Sequence, residues 1–586
     1  MSTHTRSPAA ASGPAAASRP APLWGPLLTG ADTARFRLWA PSSPALALEI
    51  AGEGPVAMQP GPDGWFSLDT KAAPGTRYRF VLPDGTAVPD PAARAQSGGV
   101  HGWSVLRAPF APDAGWPGRP WEETVLWEAH AGVFGGFEGL AAELPRLKAL
   151  GITALEIMPV NAFSGSRNWG YDGVLPFAPA EAYGPPEALH ALVGAAHREG
   201  LMVFLDVVYN HFGPDGNFLN AYAPEFFDTS EDTPWGGAVA VSRPEVAAFF
   251  TENAVMWLGE YGMDGLRFDA VHAIGNPAFL DRMAADIRAA LPGRRIHLVL
   301  ENEDNDAPRL EAGFDAQWND DFHNTLHVLL TGETEGYYAD FAEAPARRLA
   351  RCLAEGFVWQ GETTPRGRVR GRASGHLRPT AFVNFLQNHD QTGNRAMGDR
   401  LLTLAEPAAL RAATVALALM PAIPMLFMGE EQGAVTPFQF FTDFHDDLAE
   451  AVREGRRREF AHFPAFANPE ARARIPDPNA PETFLRSRPV PGPDAAAWEA
   501  LWRALLDLRA RQIVPRLAGA SALGAEAIGP RAVSAAWRMG DGARLDLLLS
   551  LDPAGAPDAI CPPGPVLFTE GDPLGGAGCT VWLGAS

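Results

Sequence analysis

At 586 residues the chain exceeds what one hydrophobic core usually serves, so two to four domains are expected. Apolar residues make up 46% and charged residues 20%, ordinary values for a folded globular protein, and no stretch reaches the length of a membrane span. The formal net charge of −22 repels phosphate backbones and anionic lipid, which argues against nucleic acid or a membrane surface as a partner and leaves a neutral sugar unaffected.

Residues 1–23, rich in Ala, Pro and Ser, have no continuous apolar core after a positive start; they fail as a secretory signal and read as a disordered tail. From Leu27 to about Phe110, short alternating runs such as Phe36, Leu38, Trp39 and Tyr78, Phe80, Leu82 alternate with Gly, Pro and Asp turns. That pattern predicts a small β-sandwich over residues 24–118, with Pro112, Pro117 and Pro120 marking its boundary; a carbohydrate-binding-like domain is the expectation there. The rhythm then changes to apolar strands alternating with amphipathic helices, the signature of βα units around a parallel sheet.

Strands are expected at 125–128, 154–158, 202–207, 265–269, 297–301, 316–318, 382–386 and 423–427, and eight of them suggest a closed barrel over residues 119–516. Helices are expected at 140–150, 186–199, 243–261, 278–291, 341–355, 407–419 and 495–511, the last closing the barrel. Long excursions follow the third and eighth strands, and loops of that length are more often functional than idle. Residues 517–586, with short strands such as 545–549 between Gly and Pro, read as a terminal β-domain. The fold class expected is therefore multidomain α/β: a (β/α)8 TIM barrel with an N-terminal β-sandwich and a C-terminal β-domain. Cys352, Cys561 and Cys579 are too scattered for a disulfide framework or a zinc site, and reduced, cytoplasmic thiols are the expectation.

Active sites of such barrels lie at the C-terminal ends of the strands, so acids there carry more weight than acids elsewhere. Glycosidic cleavage needs two carboxyl groups, one protonated and one ionised. The third strand releases Asp206, Asn210 and His211 at its lip; Asp206 and Asn210 could equally cap the loop by hydrogen bonding. The fourth places Arg267 and Asp269 on one face, and an Arg beside a carboxylate favours the ionised form a nucleophile needs, although a buried structural ion pair has the same signature. The fifth ends in Glu301, where apolar surroundings and a nearby carboxylate would raise a pKa and suit a proton donor. The seventh ends in His389-Asp390, a third carboxylate able to favour positive charge developing at a sugar ring. The acidic run Asp304-Asn305-Asp306 lacks the Gly and closing Glu of a calcium loop and reads as solvated.

Together these segments resemble the four signature regions of the α-amylase family of glycoside hydrolases. The resemblance implies Asp269 as nucleophile, Glu301 as general acid/base and Asp390 as transition-state stabiliser, with Asp206, His211, Arg267 and His389 binding the central sugar and Tyr171 forming the aromatic platform beneath it. The phrases 167–174, Trp318-Asn319-Asp320-Asp321-Phe322-His323, Thr331-Gly332-Glu333, Gly336-Tyr337-Tyr338 and 436–441 resemble the malto-oligosyltrehalose trehalohydrolase branch of that family, as do Pro89-Asp90-Pro91-Ala92 and Gly99-Val100-His101-Gly102. Trp169, Trp318, Asp320 and Asp321, in phrases beyond strand ends, join the expected substrate-binding set.

That branch implies retaining hydrolysis of the α-1,4 bond next to a terminal trehalose, a malto-oligosyltrehalose or related α-glucan substrate, and a partner malto-oligosyltrehalose synthase. A monomer or homodimer is expected. No metal or organic cofactor is required by the chemistry, although Asn210 stands where some relatives bind calcium. Gln432 departs from the branch, which has an aromatic residue there, and is expected to alter the acceptor region. Two other readings stay open: a branching or debranching enzyme with the same sandwich and barrel, and a catalytically silent glucan-binding protein.

Overall fold

A computed structural model describes residues 22–111, 115–233 and 236–584; most of the expected tail, residues 1–21, and the boundary residue Pro112 lie outside them. Eight parallel strands close a barrel in chain order: β1 (Leu126–Ala129), β2 (Ala154–Ile157), β3 (Met202–Val207), β4 (Gly265–Phe268), β5 (His297–Leu300), β6 (Ala316–Trp318), β7 (Phe382–Phe385) and β8 (Ile423–Phe427), which pairs back onto β1. Each begins and ends within one residue of the sequence expectation. These runs can be strands buried on both faces because alternate residues serve different layers. Val203, Leu205 and Val207 of β3 join the layer under the helices, while Met202 and Phe204 fill the barrel interior with Leu126, Ala154, Val299, Trp318 and Phe385.

The interior changes character along its axis. Its lower layers are apolar and plugged by Trp121, whose Nε1 donates to the Thr380 carbonyl at 2.7 Å. Two residues further along each strand, the inward positions become Glu128, Glu156, Asp206 and Arg267, and register sets Glu128 beside Glu156 and Asp206 beside Arg267. Gly265 is needed beneath them: a Cβ there would lie 2.1 Å from the Phe204 ring.

Two helices, Pro186–Glu199 and Pro407–Leu419, match expectation at both ends. The run expected at 140–150 is two short helices, Phe137–Ala141 and Leu144–Leu150, the second opening on Pro145. The closing helix stops at Leu508 and widens into a π turn over Arg509–Ile513, where buried Arg509 caps the Ala418, Met420 and Ala422 carbonyls. Asp320–Thr331, after β6, was not expected as a helix. Its residues from Asp321 to Leu330 are all buried, so it lacks the polar face that reveals a helix in sequence.

Before the barrel, a four-stranded and a six-stranded antiparallel sheet enclose Phe36, Leu38, Tyr78 and Phe80. A loop from this sandwich reaches across the barrel mouth. Gly99 donates its N–H to Glu181 at 2.6 Å, Val100 inserts among Ala162, Val174, Leu175 and Ala178, and His101 meets Asp215 at 3.1 Å. After the barrel, a five-stranded antiparallel sheet, including Arg544–Ser550, packs on Pro345–Glu355 and Pro407–Leu419. All three cysteines are free, Cys352 and Cys579 buried and Cys561 exposed. No helix among the described residues is long and apolar enough to cross a membrane.

Candidate active site

The side chains that emerge at the mouth converge on Arg267, which is fully buried on β4. Its Nη1 donates to Asp206 Oδ2 at 2.5 Å and to Asp269 Oδ1 at 2.9 Å, and its Nη2 to Glu301 Oε2 at 2.6 Å. Three acids from adjoining strands thus share one cation. The guanidinium lies 4.1 Å over the Trp318 ring, which fixes its plane from below.

Asp269 leaves β4 into a sharp turn. Ala270 takes a left-handed conformation, φ 40°, which a residue with a Cβ adopts at a cost, and the result is that its N–H donates to Glu301 Oε2 at 2.8 Å. His389 and Asp390 begin a short helix held by a reciprocal cap: Asn388 Oδ1 accepts from Asp390 N at 2.8 Å, and Asn388 N donates to Gln391 Oε1 at 3.1 Å. Tyr171 follows Gly170, whose φ of 102° and close approach to the Pro159 carbonyl exclude any side chain. The Tyr171 hydroxyl donates to Asp206 Oδ2 at 2.5 Å, lies 2.8 Å from His389 Nε2, and its ring stacks on the His389 ring. His211 meets Asn210 Oδ1 at 3.0 Å, and burial pushes its pKa down to about 4.

The electrostatics differ from expectation in one respect. Arg267 was expected to single out Asp269 and leave Glu301 raised. Because Arg267 is shared, burial wins at Asp269, which lies well above the usual carboxylate range, with Glu301, Asp206 and Asp390 adding to the rise. Burial acts on Glu301 too, but Arg267 and the Ala270 N–H outweigh it and hold that carboxyl below its ordinary value. Burial also raises Asp390, against the pull of His389.

A cleft of about 520 Å³ opens beside these groups, lined by Glu301, Glu303, Asp320, Asn324, Tyr337, Arg368, Asp390, Gln391 and Asn394 among others. Asp320 belongs to it, raised well above the usual range by burial and by Glu301. The other residues expected from the same phrases stand elsewhere. Asp321 is fully buried: its Oδ2 accepts from Asn305 Nδ2, Val358 N and Trp359 N, and its Oδ1 meets Arg370 at 2.9 Å. Trp318 is the last residue of β6, not a loop residue, and only 1% exposed; Trp169 is 4% exposed and donates to the Gln439 carbonyl. Both back the site, and neither offers a face to a sugar. Gln432, in the turn after β8, donates to Glu499 of the closing helix at 2.8 Å and does not line the cleft, so its expected place in the acceptor region is corrected.

The sequence reading also passed over Glu128 and Glu156. Their signal was a carboxylate in each otherwise apolar strand, two residues below the mouth on the inward face. Tyr337, in the cleft and 45% exposed, was seen only as part of a phrase. Among the described residues, no group of three His, Cys, Asp or Glu side chains is arranged to hold a metal ion.

The profile of the alpha amylase catalytic domain matches residues 96–233. The chain is 42% identical over 508 residues to the malto-oligosyltrehalose trehalohydrolase of Deinococcus radiodurans, covering 83% of this chain and 82% of that protein. It is 40% identical over 514 residues to the one from Rhizobium sp. (strain M-11), covering 81% and 84%. A crystal structure from Salmonella typhimurium, provisionally named as an alpha amylase, superposes with a TM-score of 0.90 at 44% identity, covering 96% of this chain and all of that one. With such identity sustained over four fifths of both chains, the chain belongs to the malto-oligosyltrehalose trehalohydrolase family.

Proposed function

We propose that this chain hydrolyses the α-1,4 bond next to the terminal trehalose of malto-oligosyltrehalose, releasing trehalose and a shortened malto-oligosaccharide with retention of configuration. The observation that carries the reading is the meeting of Asp206, Asp269 and Glu301 on one buried guanidinium at the mouth of the barrel. Asp269 attacks the anomeric carbon while Glu301 protonates the leaving oxygen; water then attacks the glycosyl-enzyme with Glu301 as base. Two carboxyls tied to one guanidinium favour the close spacing of a double displacement, about 5–5.5 Å, over the wider gap of an inverting enzyme.

The free-site proton arrangement fits this cycle when substrate binding redistributes it. A sugar hydroxyl that displaces Glu301 from Arg267 and the Ala270 N–H removes the two contacts favouring its ionised form, and leaves that cation to Asp269 and Asp206. Asp390 faces the ring as the third acid, Asp206, His211 and His389 hold its hydroxyls, and Tyr171 lies beneath it. Asp320 and the cleft beyond Glu301 receive the leaving disaccharide. A synthase that caps malto-oligosaccharides with trehalose supplies the substrate, in the cytoplasm. The test is to incubate the purified chain with malto-oligosyltrehalose: free trehalose is expected, whereas branch transfer, α-1,6 cleavage or binding without turnover rejects the proposal.

A further inference from the structure

Below the cleft, hydrogen-bond directions around His389 can be counted. The Tyr171 hydroxyl has one proton and gives it to Asp206 Oδ2 at 2.5 Å. The same oxygen lies 2.8 Å from His389 Nε2, so there it must accept, and Nε2 carries hydrogen. On the other side of the ring, Glu128 Oε1 lies 2.5 Å from Nδ1 while Glu128 Oε2 accepts from the His389 backbone N–H at 3.1 Å. A carboxylate only accepts, so Nδ1 carries hydrogen as well. We infer that Glu128, on the inner wall of β1 and out of reach of any sugar, is a positioning residue that holds His389 as a doubly protonated imidazolium aimed at Tyr171 and Asp390. This rests on reading Asp269, Glu301 and Asp390 as the reacting carboxyls.

The surroundings agree. The imidazole is 1% exposed and burial opposes its charge, yet Asp390, 3.5 Å from Nε2, and Glu128 push its pKa up to about 9. Arg267 from β4 and His130 from the turn after β1 act against the charge; Glu301 of β5 and Asp206 of β3 act with it. The walls, Trp169 and Trp318, carry no charge.

Glu156, the neighbouring acid, bonds to neither Glu128 nor His389 and serves as the control. It sits in register beside Glu128, neither of its oxygens has a hydrogen-bond partner among the described residues, and burial, with Glu128 and Asp206, lifts it well above the usual carboxylate range. A carboxyl raised in this way puts little negative charge beside Glu128. The imidazolium in turn does three things for the site: it orients the Tyr171 ring, it sends the Tyr171 proton to Asp206, and it favours ionised Asp390 opposite the developing positive charge.

The test joins kinetics and spectroscopy on the full chain. With isotope-labelled histidine, the His389 ring, identified by its loss in His389→Gln, is expected to remain imidazolium through pH 8 in the wild type and to lose its proton at lower pH in Glu128→Gln. On malto-oligosyltrehalose, Glu128→Gln is expected to lose about 10- to 100-fold in kcat/KM, by analogy with the loss when the partner that orients a metal-binding histidine is removed. Its alkaline limb should move acidic by about one pH unit or more, and Glu128→Asp should recover part of both. The double variant with His389→Gln should be no worse than His389→Gln alone. Glu156→Gln, which replaces a neutral group by a neutral isostere, should stay within about threefold of wild type.

A neutral His389 at pH 7 in the wild type overturns the proposal, and this measurement stands even if Glu128→Gln fails to fold. So does an unshifted alkaline limb, additive losses in the double variant, or a loss in Glu156→Gln as large as in Glu128→Gln. Absence of trehalose release by the wild type would instead remove the functional reading and leave the histidine titration intact.

Discussion

Two buried clusters of acid and arginine stand near the barrel mouth, and they are built on opposite principles. At Asp321, one carboxylate faces one arginine, Arg370, and takes three further N–H donors from Asn305, Val358 and Trp359. At Arg267, one guanidinium faces three carboxylates, and Asp206 Oδ1 is left buried without a partner among the described residues. The first cluster is balanced in charge, one carboxylate against one guanidinium, as a buried charge must be when its task is to hold a chain in place. The second carries surplus negative charge, which opposes folding and favours a cation-like transition state. Both acids come from polar phrases near strand ends, and only the count of donors around each separates scaffold from chemistry.

The contrast can be broken by mutation. The largest effect is expected for Asp269→Asn and Glu301→Gln, which should lower kcat by about four orders of magnitude; Asp269→Asn should leave the melting temperature unchanged or higher, since burial disfavours that carboxylate, whereas Glu301→Gln gives up the Arg267 and Ala270 contacts that favour its ionised form and should lower it. Near-normal trehalose release by either variant would end the assignment. Asp321→Ala should behave inversely, with stability falling by about 3–5 kcal/mol as Arg370 loses its buried partner, while activity measured at low temperature persists. A denaturation midpoint equal to wild type would show the two clusters to be alike.

A smaller, pH-dependent effect is expected at His130, whose Nδ1 accepts from Val133 N and whose Nε2 lies 2.8 Å from the Asn168 carbonyl, so the ring is neutral. Burial lowers its pKa to about 4 from an ordinary 6.5. Between those values the unfolded chain binds a proton that the native state refuses, so stability rises with pH across that window. The advantage of wild type over His130→Gln is therefore expected to be full above pH 6.5 and to shrink as pH falls toward 4, as read from melting temperatures. A gap that widens on acidification would contradict it. Least of all should change in Gln432→Trp: with Gln432 turned toward Glu499, the preference between plain maltodextrin and the trehalose-capped form is expected to stay as it is, and a shifted ratio would restore an acceptor-side role.

Much of this was legible in the sequence because barrel strands advertise themselves twice, by an apolar run and by the polar residue that ends it. The eight strands, and the convergence of Asp206, Arg267, Glu301 and His389, follow from that pattern. What stayed hidden was hidden for physical reasons. The helix Asp320–Thr331 is buried all round and shows no amphipathic period. Trp169 and Trp318 have the composition of sugar platforms, but sequence does not say whether an indole faces solvent or an arginine. The ordering of Asp269 and Glu301 depends on how Arg267 is shared and, after it, on the Ala270 N–H, a donor created by one left-handed residue that no side-chain pattern records.

The loop that carries Gly99, Val100 and His101 ties the sandwich to the segments bearing Tyr171 and His211, since Val100 seats against Val174 and Gly216 and His101 holds Asp215. The sandwich is thus not an accessory that can be trimmed away or exchanged for another: removing it would unseat a wedge from the segments that carry Tyr171 and His211, the walls of the proposed glucose subsite. A chimera that borrows this barrel has to borrow the loop as well, because Val100 and His101 supply contacts the barrel segments do not make for themselves.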